Sequence, residues 1–312
     1  LELIFLGTGA GLPARERNVT SIALRLLTGQ GEVWLFDCGE ATQHQMMRSP
    51  VKLSKINHLF VTHAHGDHIF GIPGMLGSRS FQAATLPMTL CAPKAVCDFV
   101  EGALSASQTH LTYKFKTVET REGIVYEDDR WVVIAAKLDH SVDSYGYRVI
   151  ERDQPGKFNP NGLEELGIPL GPLYGLLKQG QSIQLEDGRV IRGEKFVGPT
   201  TPGRIIAIMG DTRYCKAAIE LARGADVLVH EATFAHEDRL LAQRYYHSTA
   251  TQAACVADSA GVSQLILTHI SARYQHDRGE QLVEEAKKRF PATTIAHDGM
   301  VWPIDRPSAQ RH

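Results

Sequence analysis

Thr62-His63-Ala64-His65-Gly66-Asp67-His68 places four potential metal ligands within six residues, and no other stretch of the chain is as dense in such groups. It directly follows Ile56-Asn57-His58-Leu59-Phe60-Val61, an apolar run of strand length. His63 and His65, two positions apart, would point to different faces of a helix. The run is therefore expected to be a tight loop at a strand end, with Gly66 permitting the turn. Imidazole nitrogens together with a carboxylate are the donor set of a hydrolytic zinc centre.

Other apolar runs end in the same manner. The predicted strand Trp131–Asp139 is followed by His140, Arg204–Gly210 by Asp211, Gln264–Thr268 by His269, and Val227–Val229 by His230 and Glu231. Strand ends along one edge of a sheet converge in space, and the loops there commonly carry function. His63, His65, Asp67, His68, His140, Asp211 and His269 make seven candidate ligands. A tetrahedral catalytic zinc takes three protein ligands and an open position. Seven residues thus suit two metals with one carboxylate shared between them. Two ions about 3.5–4 Å apart can stabilise both oxygens of a displacement at phosphorus.

The pattern T-H-x-H-x-D-H with a later His, Asp and His resembles the metallo-β-lactamase superfamily. Further segments narrow the resemblance to the ribonuclease Z family of tRNA 3′-processing endonucleases. They are Phe5–Gly11, Pro13–Asn18, Phe36–Glu40, Gly77–Ser80, His230-Glu231-Ala232-Thr233, His247-Ser248-Thr249 and Ala272-x-Tyr274. Arg15 departs from the family's Lys in the P-x-x-x-R-N loop but keeps the positive charge.

The resemblance implies an α/β fold, the four-layer αββα sandwich. It implies two Zn²⁺ per subunit, with Mn²⁺ or another divalent ion as the alternative. His63, His65 and His140 would hold one ion, Asp67, His68 and His269 the second, with Asp211 bridging. The catalytic pair would be Asp67, orienting the attacking water, and His247, giving a proton to the leaving oxygen. His230 and Glu231 are candidates for fixing a ligand ring. Arg15, Arg17, Asn18, Arg273, Gly171 and Pro172 are candidate RNA contacts, and Arg79 is a further basic candidate. The implied substrate is precursor tRNA, cut near the discriminator nucleotide to leave a 3′-hydroxyl. The implied assembly is a homodimer, with no DNA partner and no membrane. The rival reading is another hydrolase of the same fold, such as a small phosphodiesterase, thioesterase or lactonase.

Composition bounds this reading without deciding it. The 312 residues form one large domain or two small ones, and the apolar share of 43% supports a full core. Net charge is −2, so RNA binding would rest on a local basic patch. The five cysteines, Cys38, Cys91, Cys97, Cys215 and Cys255, have no metal-type spacing and fit reduced thiols in a cytoplasmic protein. No apolar run has the length of a transmembrane helix. Leu1–Leu6 reads as a first strand rather than a signal peptide.

Strands are expected near 2–6, 21–27, 32–36, 57–62, 88–91 and 131–139 in a first half, with helices at 40–47 and 94–105. A second half has strands near 145–150, 204–209, 226–229, 264–268 and 294–297, with helices at 214–223, 235–245, 249–260 and 279–289. Residues 151–203, rich in Gly and Pro, read as a long insertion without a core, carrying a hairpin at Asp187-Gly188. The insertion sits where the family carries a tRNA-gripping arm. The single hydrolase domain, 1–312, contains it, and 303–312 is expected to be a flexible tail.

Overall fold

The computed structural model describes all residues except 28–30, 83, 155, 164–165, 169–170, 186, 275–277 and 308–312. The chain forms two compact units, Leu1–Ile150 with Ile205–Asp305, and Glu151–Arg204 with Arg306–His312.

The first unit holds two seven-stranded sheets. One runs in the order Val301–Pro303, Glu2–Gly7, Ser21–Arg25, Val33–Phe36, Ile56–Phe60, Met88–Ala92, Phe115–Glu119. The other runs Thr293–Ile295, Gln264–Thr268, Val227–Glu231, Ile205–Ile208, Tyr145–Glu151, Trp131–Lys137, Gly123–Glu127. Each sheet has a parallel block, Val33–Phe36 through Phe115–Glu119 in one and Ile205–Ile208 through Thr293–Ile295 in the other; the candidate ligands follow strands of these blocks, except His140, which follows Trp131–Lys137 in the antiparallel part of the second sheet.

Period-two alternation sorts the side chains into layers. Leu3, Phe5, Trp34, Phe36 and Phe60 share one core with Val133, Tyr147, Ile206, Val229 and Ile266 of the other sheet. Their neighbours Ile4, Leu6, Leu35 and Leu59 face outward, against Ile72, Met75 and Leu76 of the helix Ile72–Phe81 and Val96 and Val100 of the helix Lys94–Ala106. On the far side Ala207, Leu228, Leu265 and Leu267 pack under Ala253, Ala254 and Ala257 of the helix Ala250–Ala260 and Leu282 of the helix Arg278–Lys287. This is the four-layer αββα arrangement. The small alanines let the helix Ala250–Ala260 lie close on its sheet, and it is fixed at both ends. Thr249 and Gln252 form a reciprocal capping box, and Gly261 closes the C-terminus at φ 63°.

Two expectations need correction. Trp131–Lys137 belongs to the second sheet rather than with the first half, because it pairs beside Tyr145–Glu151, and its hairpin with Gly123–Glu127 makes the sheet's edge. The C-terminal strand Val301–Pro303 returns to the first sheet, pairing Pro303 with Glu2. The expected tail at 303–312 therefore starts inside a strand, and Ile304 is buried with its N–H on the Leu1 carbonyl. Arg306 is ion-paired with Glu151, and residues 308–312 lie outside the described ones.

The second unit has a core, which the sequence reading did not give it. Leu163, Ile168, Leu177 and Ile183 are buried together, with Phe158, Leu173, Tyr174 and Phe196 around them. The helix Pro172–Lys178 begins at Gly171, with Pro172 in its first turn. The hairpin pairs Ser182–Gln184 with Val190–Arg192, Asp187 and Gly188 lie in its turn, and Gly188 has φ 86°. The strands that flank this unit in the chain are paired, Ile150 opposite Ile205.

Candidate metal centre and cleft

The quoted motif divides at its middle. His63 and His65 follow the strand, His65 in extended backbone, and Gly66–Ile69 is a short helix carrying Asp67 and His68. The expected tight loop is thus half helical. Gly66 does not supply a left-handed turn; it is helical, and a Cβ there would lie 2.2 Å from the Phe70 ring. An equally close approach, to backbone rather than to a ring, occurs at Gly39, where a Cβ would lie 2.2 Å from the Asp67 carbonyl oxygen, so the Phe36–Glu40 segment seats the motif helix through backbone contact.

All seven candidate ligands converge. His63 Nε2 lies 3.1 Å from His65 Nδ1, and His140 Nε2 lies 3.3 Å from the same atom. His68 Nε2 lies 3.3 Å from His269 Nε2, which is also 3.3 Å from Asp67 Oδ2. Asp211 Oδ2 stands between the two groups, 3.6 Å from His63, 3.5 Å from His68 and 3.3 Å from His269. A tetrahedral ion with Zn–N bonds of about 2.0–2.1 Å has donor–donor edges of about 3.3–3.4 Å.

The outer ring nitrogens fix which atoms face inward. His63 Nδ1 donates to Thr62 Oγ1 at 2.9 Å, His68 Nδ1 to Asp37 at 2.8 Å, His140 Nδ1 to the Tyr246 carbonyl at 2.8 Å and His269 Nδ1 to Thr233 Oγ1 at 2.9 Å. Each of these rings then turns an Nε2 lone pair to the centre. Lone pairs facing one another at these separations repel unless a cation lies between them. The donor set therefore fits bound metal, His63, His65 and His140 with Asp211 in one group and Asp67, His68 and His269 in another, with Asp211 also 3.5 and 3.3 Å from His68 and His269. Burial alone would push the Asp211 carboxyl up, but His269, His68 and His63 hold it well below the usual carboxylate range.

Three groups that position the ligands were not singled out in the sequence. Asp37 takes the Thr62 N–H and hydroxyl at 2.7 and 2.9 Å besides the His68 ring. Thr233 braces His269, and the Tyr246 carbonyl braces His140. Asp37 carried the signal used elsewhere, an acidic residue directly after an apolar strand. Asp37 and His269 both have left-handed backbone, at φ 57° and 55°, a conformation costly for non-glycine residues and held here by these bonds.

The remaining motif residues divide the labour. In His230–Thr233, Glu231 is fully buried and accepts from His247 Nδ1 at 2.9 Å, while Thr233 donates to Glu231 at 2.7 Å. His230 touches no ligand; its Nδ1 donates to the Glu231 carbonyl at 2.7 Å. In His247–Thr249, Ser248 donates to the Thr212 carbonyl at 2.7 Å and Thr249 caps its helix. Burial lowers the basicity of His247, but the charge and hydrogen bond of Glu231 outweigh it and push its pKa up to about 9.

A cleft of about 470 Å³ opens beside the cluster, lined by His65, His140 and His247 and by Arg244, Tyr245 and Tyr246. Arg213 stacks over the Tyr246 ring at 4.2 Å and grips Asp139, next to His140, with two hydrogen bonds of 3.0 and 2.9 Å.

The candidate RNA contacts are scattered in character. Arg15 and Arg273 are exposed. Arg17 is half-buried and donates to Thr8 and to the Ala296 carbonyl, and Asn18 is buried with its amide on the Glu40 carbonyl. Gly171 and Pro172 are exposed in the second unit. Arg79 is no surface charge: it is fully buried, bonded to the Ile56 and Leu86 carbonyls and stacked on Tyr113 at 3.9 Å.

Family models match two stretches, "Anti-Pycsar protein Apyc1" over residues 1–139 and "Beta-lactamase superfamily domain" over residues 196–270. The short form of human tRNase Z, a solved structure, superposes with a TM-score of 0.70 at 29% identity, covering 98% of this chain and 100% of that one. The metallo-β-lactamase fold protein YhfI of Bacillus subtilis superposes at 0.66 with 18% identity over 96% of this chain and 98% of its own, a likeness of fold. Ribonuclease Z of Geobacillus kaustophilus is 55% identical over 98% of this chain and 100% of its own length, and that of Anoxybacillus flavithermus is 53% identical over 96% of each. Identity above one half, sustained along almost the whole of both sequences, is more than a shared fold requires, and this chain belongs to the ribonuclease Z family.

Proposed function

We propose that the histidine–aspartate cluster is the dinuclear metal centre at which this chain cuts the 3′ trailer from precursor tRNA, beside the discriminator nucleotide. The enzyme is a metal-dependent endoribonuclease of tRNA 3′ processing. His63, His65 and His140 would hold one ion and Asp67, His68 and His269 the other, with Asp211 shared. The observation that carries this is the ring of inward lone pairs spaced 3.1–3.6 Å around Asp211. The nitrogen-rich donor set favours zinc, two per subunit, over Mn²⁺. Bound ions would supply Lewis acidity, stabilising charge at the phosphate and lowering the pKa of a water.

The chain's own groups do the rest. Asp67 accepts the Gly11 N–H at 2.8 Å, which holds its carboxylate at the centre, where it orients the attacking water. Glu231 keeps His247 protonated and spends its Nδ1, so Nε2 carries the proton to be given. The water gives up a proton to solvent, its oxygen joins phosphorus, the P–O3′ bond breaks with its electron pair going to O3′, and His247 protonates that oxygen. The tRNA keeps a 3′-hydroxyl and the trailer keeps the phosphate.

The same reading makes 151–203 the substrate-gripping arm. Support comes from its own core and from the exposed Gly171–Pro172 helix start. It also makes the enzyme a cytoplasmic homodimer, in keeping with five unpaired cysteines. No helix among the described residues is long and apolar enough to cross a membrane.

The test is cleavage of a transcribed precursor tRNA with a 3′ trailer, run beside hydrolysis of a bis-aryl phosphodiester. A single cut at the discriminator, lost in Asp67→Ala, is expected. No cut by an enzyme that still hydrolyses the small diester would move the site to the rival class of hydrolase. Deleting 155–199 is expected to weaken precursor binding and spare the small diester; unchanged precursor affinity would remove the arm's role.

A further inference from the structure

We propose that Tyr245, flanked by Arg244, is the stacking platform for the base of the nucleotide on the 5′ side of the cut, the nucleotide whose O3′ departs. This rests on the reading of the cluster and of His247 given above.

The polarity follows from the chemistry. O3′ of the 5′-side nucleotide receives the His247 proton, so that ribose must lie against His247. The wall of the cleft next to His247 is Arg244, Tyr245 and Tyr246, the three residues preceding it in the chain. A base joined to that ribose therefore meets this wall, while the trailer departs on the other side of phosphorus.

Elimination picks the residue within the wall. His65, His140 and His247 are committed to the cluster and to Glu231. Tyr246 is committed twice: its carbonyl holds His140, and one ring face lies under Arg213. Phe234, the other aromatic ring of the cleft, is only 6% exposed. Tyr245 is 52% exposed, a large aromatic surface left to solvent at the mouth of a polar site. The Arg244 guanidinium lies 5.7 Å from its ring centre and has no carboxylate partner among the described residues. An open ring with an unneutralised guanidinium beside it is the pairing that holds an unstacked nucleotide, the ring taking the base and the cation a phosphate. Stacking tolerates any base, as suits a position where tRNAs differ.

The test uses the full-length metal-loaded enzyme and three precursor tRNAs: intact, abasic at the nucleotide 5′ of the cut, and abasic at the nucleotide 3′ of it. Tyr245→Ala is expected to raise KM on the intact substrate about tenfold, the scale of one lost base stack. The 5′-abasic substrate should show the raised KM already with wild type and no further rise with Tyr245→Ala. The 3′-abasic substrate should retain the full difference between wild type and variant. Tyr245→Trp should restore the intact value, which a loss of folding would not allow. An unchanged KM in Tyr245→Ala, or an equal penalty on the 5′-abasic substrate, would overturn the assignment. Failure of wild type to cut the intact precursor at all would instead strike the functional reading on which it rests.

Discussion

The two sheets furnish the cluster in opposite ways. The first supplies four ligands from one continuous stretch, His63 to His68, wound from extended backbone into a helical turn. The second supplies single residues, His140, Asp211 and His269, each after a different strand and separated by 71 and 58 residues of chain (211 − 140 and 269 − 211). A contiguous stretch is positioned by its local backbone. Residues from separate strands are positioned by the whole sheet, and the two histidines have braces of their own: Tyr246 for His140, Thr233 for His269. Dense motifs are thus cheap to recognise and local to fold, whereas dispersed ones are a property of the finished architecture.

Substitutions can break that contrast or sharpen it. On the proposed reading Asp211 would be shared by both ions, so Asp211→Ala should empty the centre. Bound metal measured by elemental analysis should fall toward zero and precursor cleavage should vanish. Retention of both ions would mean that the local stretch suffices and the second sheet is dispensable. His247→Ala should keep its metal and lose about 10²–10⁴-fold in kcat, the range for a general acid.

The pH profile examines the same histidine. Its pKa is raised to about 9, so the proton-bearing form persists below that value and is lost as pH rises through it. Activity should therefore decline on the alkaline side near pH 9. Glu231→Gln removes the charge that raises the pKa and leaves the burial that lowers it, so the alkaline decline should move to lower pH. A limb that stays in place would assign it to another group.

Asp37→Ala tests whether the first sheet's stretch is as self-sufficient as the contrast implies. Loss of the His68 and Thr62 contacts should cost about 10–100-fold in metal affinity, read by competition with a chelator. The smallest effect is expected at Thr249→Ala, where loss of the helix cap should lower unfolding free energy by about 1 kcal/mol in denaturant titration.

The contrast also explains what could be read in advance. His63–His68 was legible because four donors in six residues is a rare composition. The single ligands were legible only through a rule, a polar residue after an apolar strand, and Asp37 obeys that rule but lay inside a segment read for its resemblance. Tyr246 could not be found, because it acts through a carbonyl that every residue possesses. The helix Ile72–Phe81 was hidden by Pro73, Gly74 and Gly77, residues of low helix propensity that packing overrides here. The strands Phe115–Glu119 and Gly123–Glu127 are half-exposed and lack a clean apolar alternation. Arg79 misled because its burial depends on tertiary partners, the Ile56 and Leu86 carbonyls and the Tyr113 ring.

Ile150 and Ile205 face each other on a single rung of the second sheet, so everything between them leaves and re-enters the sheet at one point. A hairpin turn of a few residues could join the same rung. Loop closure grows only slowly dearer with length, about 0.6 kcal/mol per doubling. Such a position is a natural port for insertion, where an ancestral hydrolase could gain, enlarge or exchange a specificity module in one genetic event without disturbing a single ligand. The same port offers protein engineers a graft point for retargeting the catalytic unit to other nucleic acids.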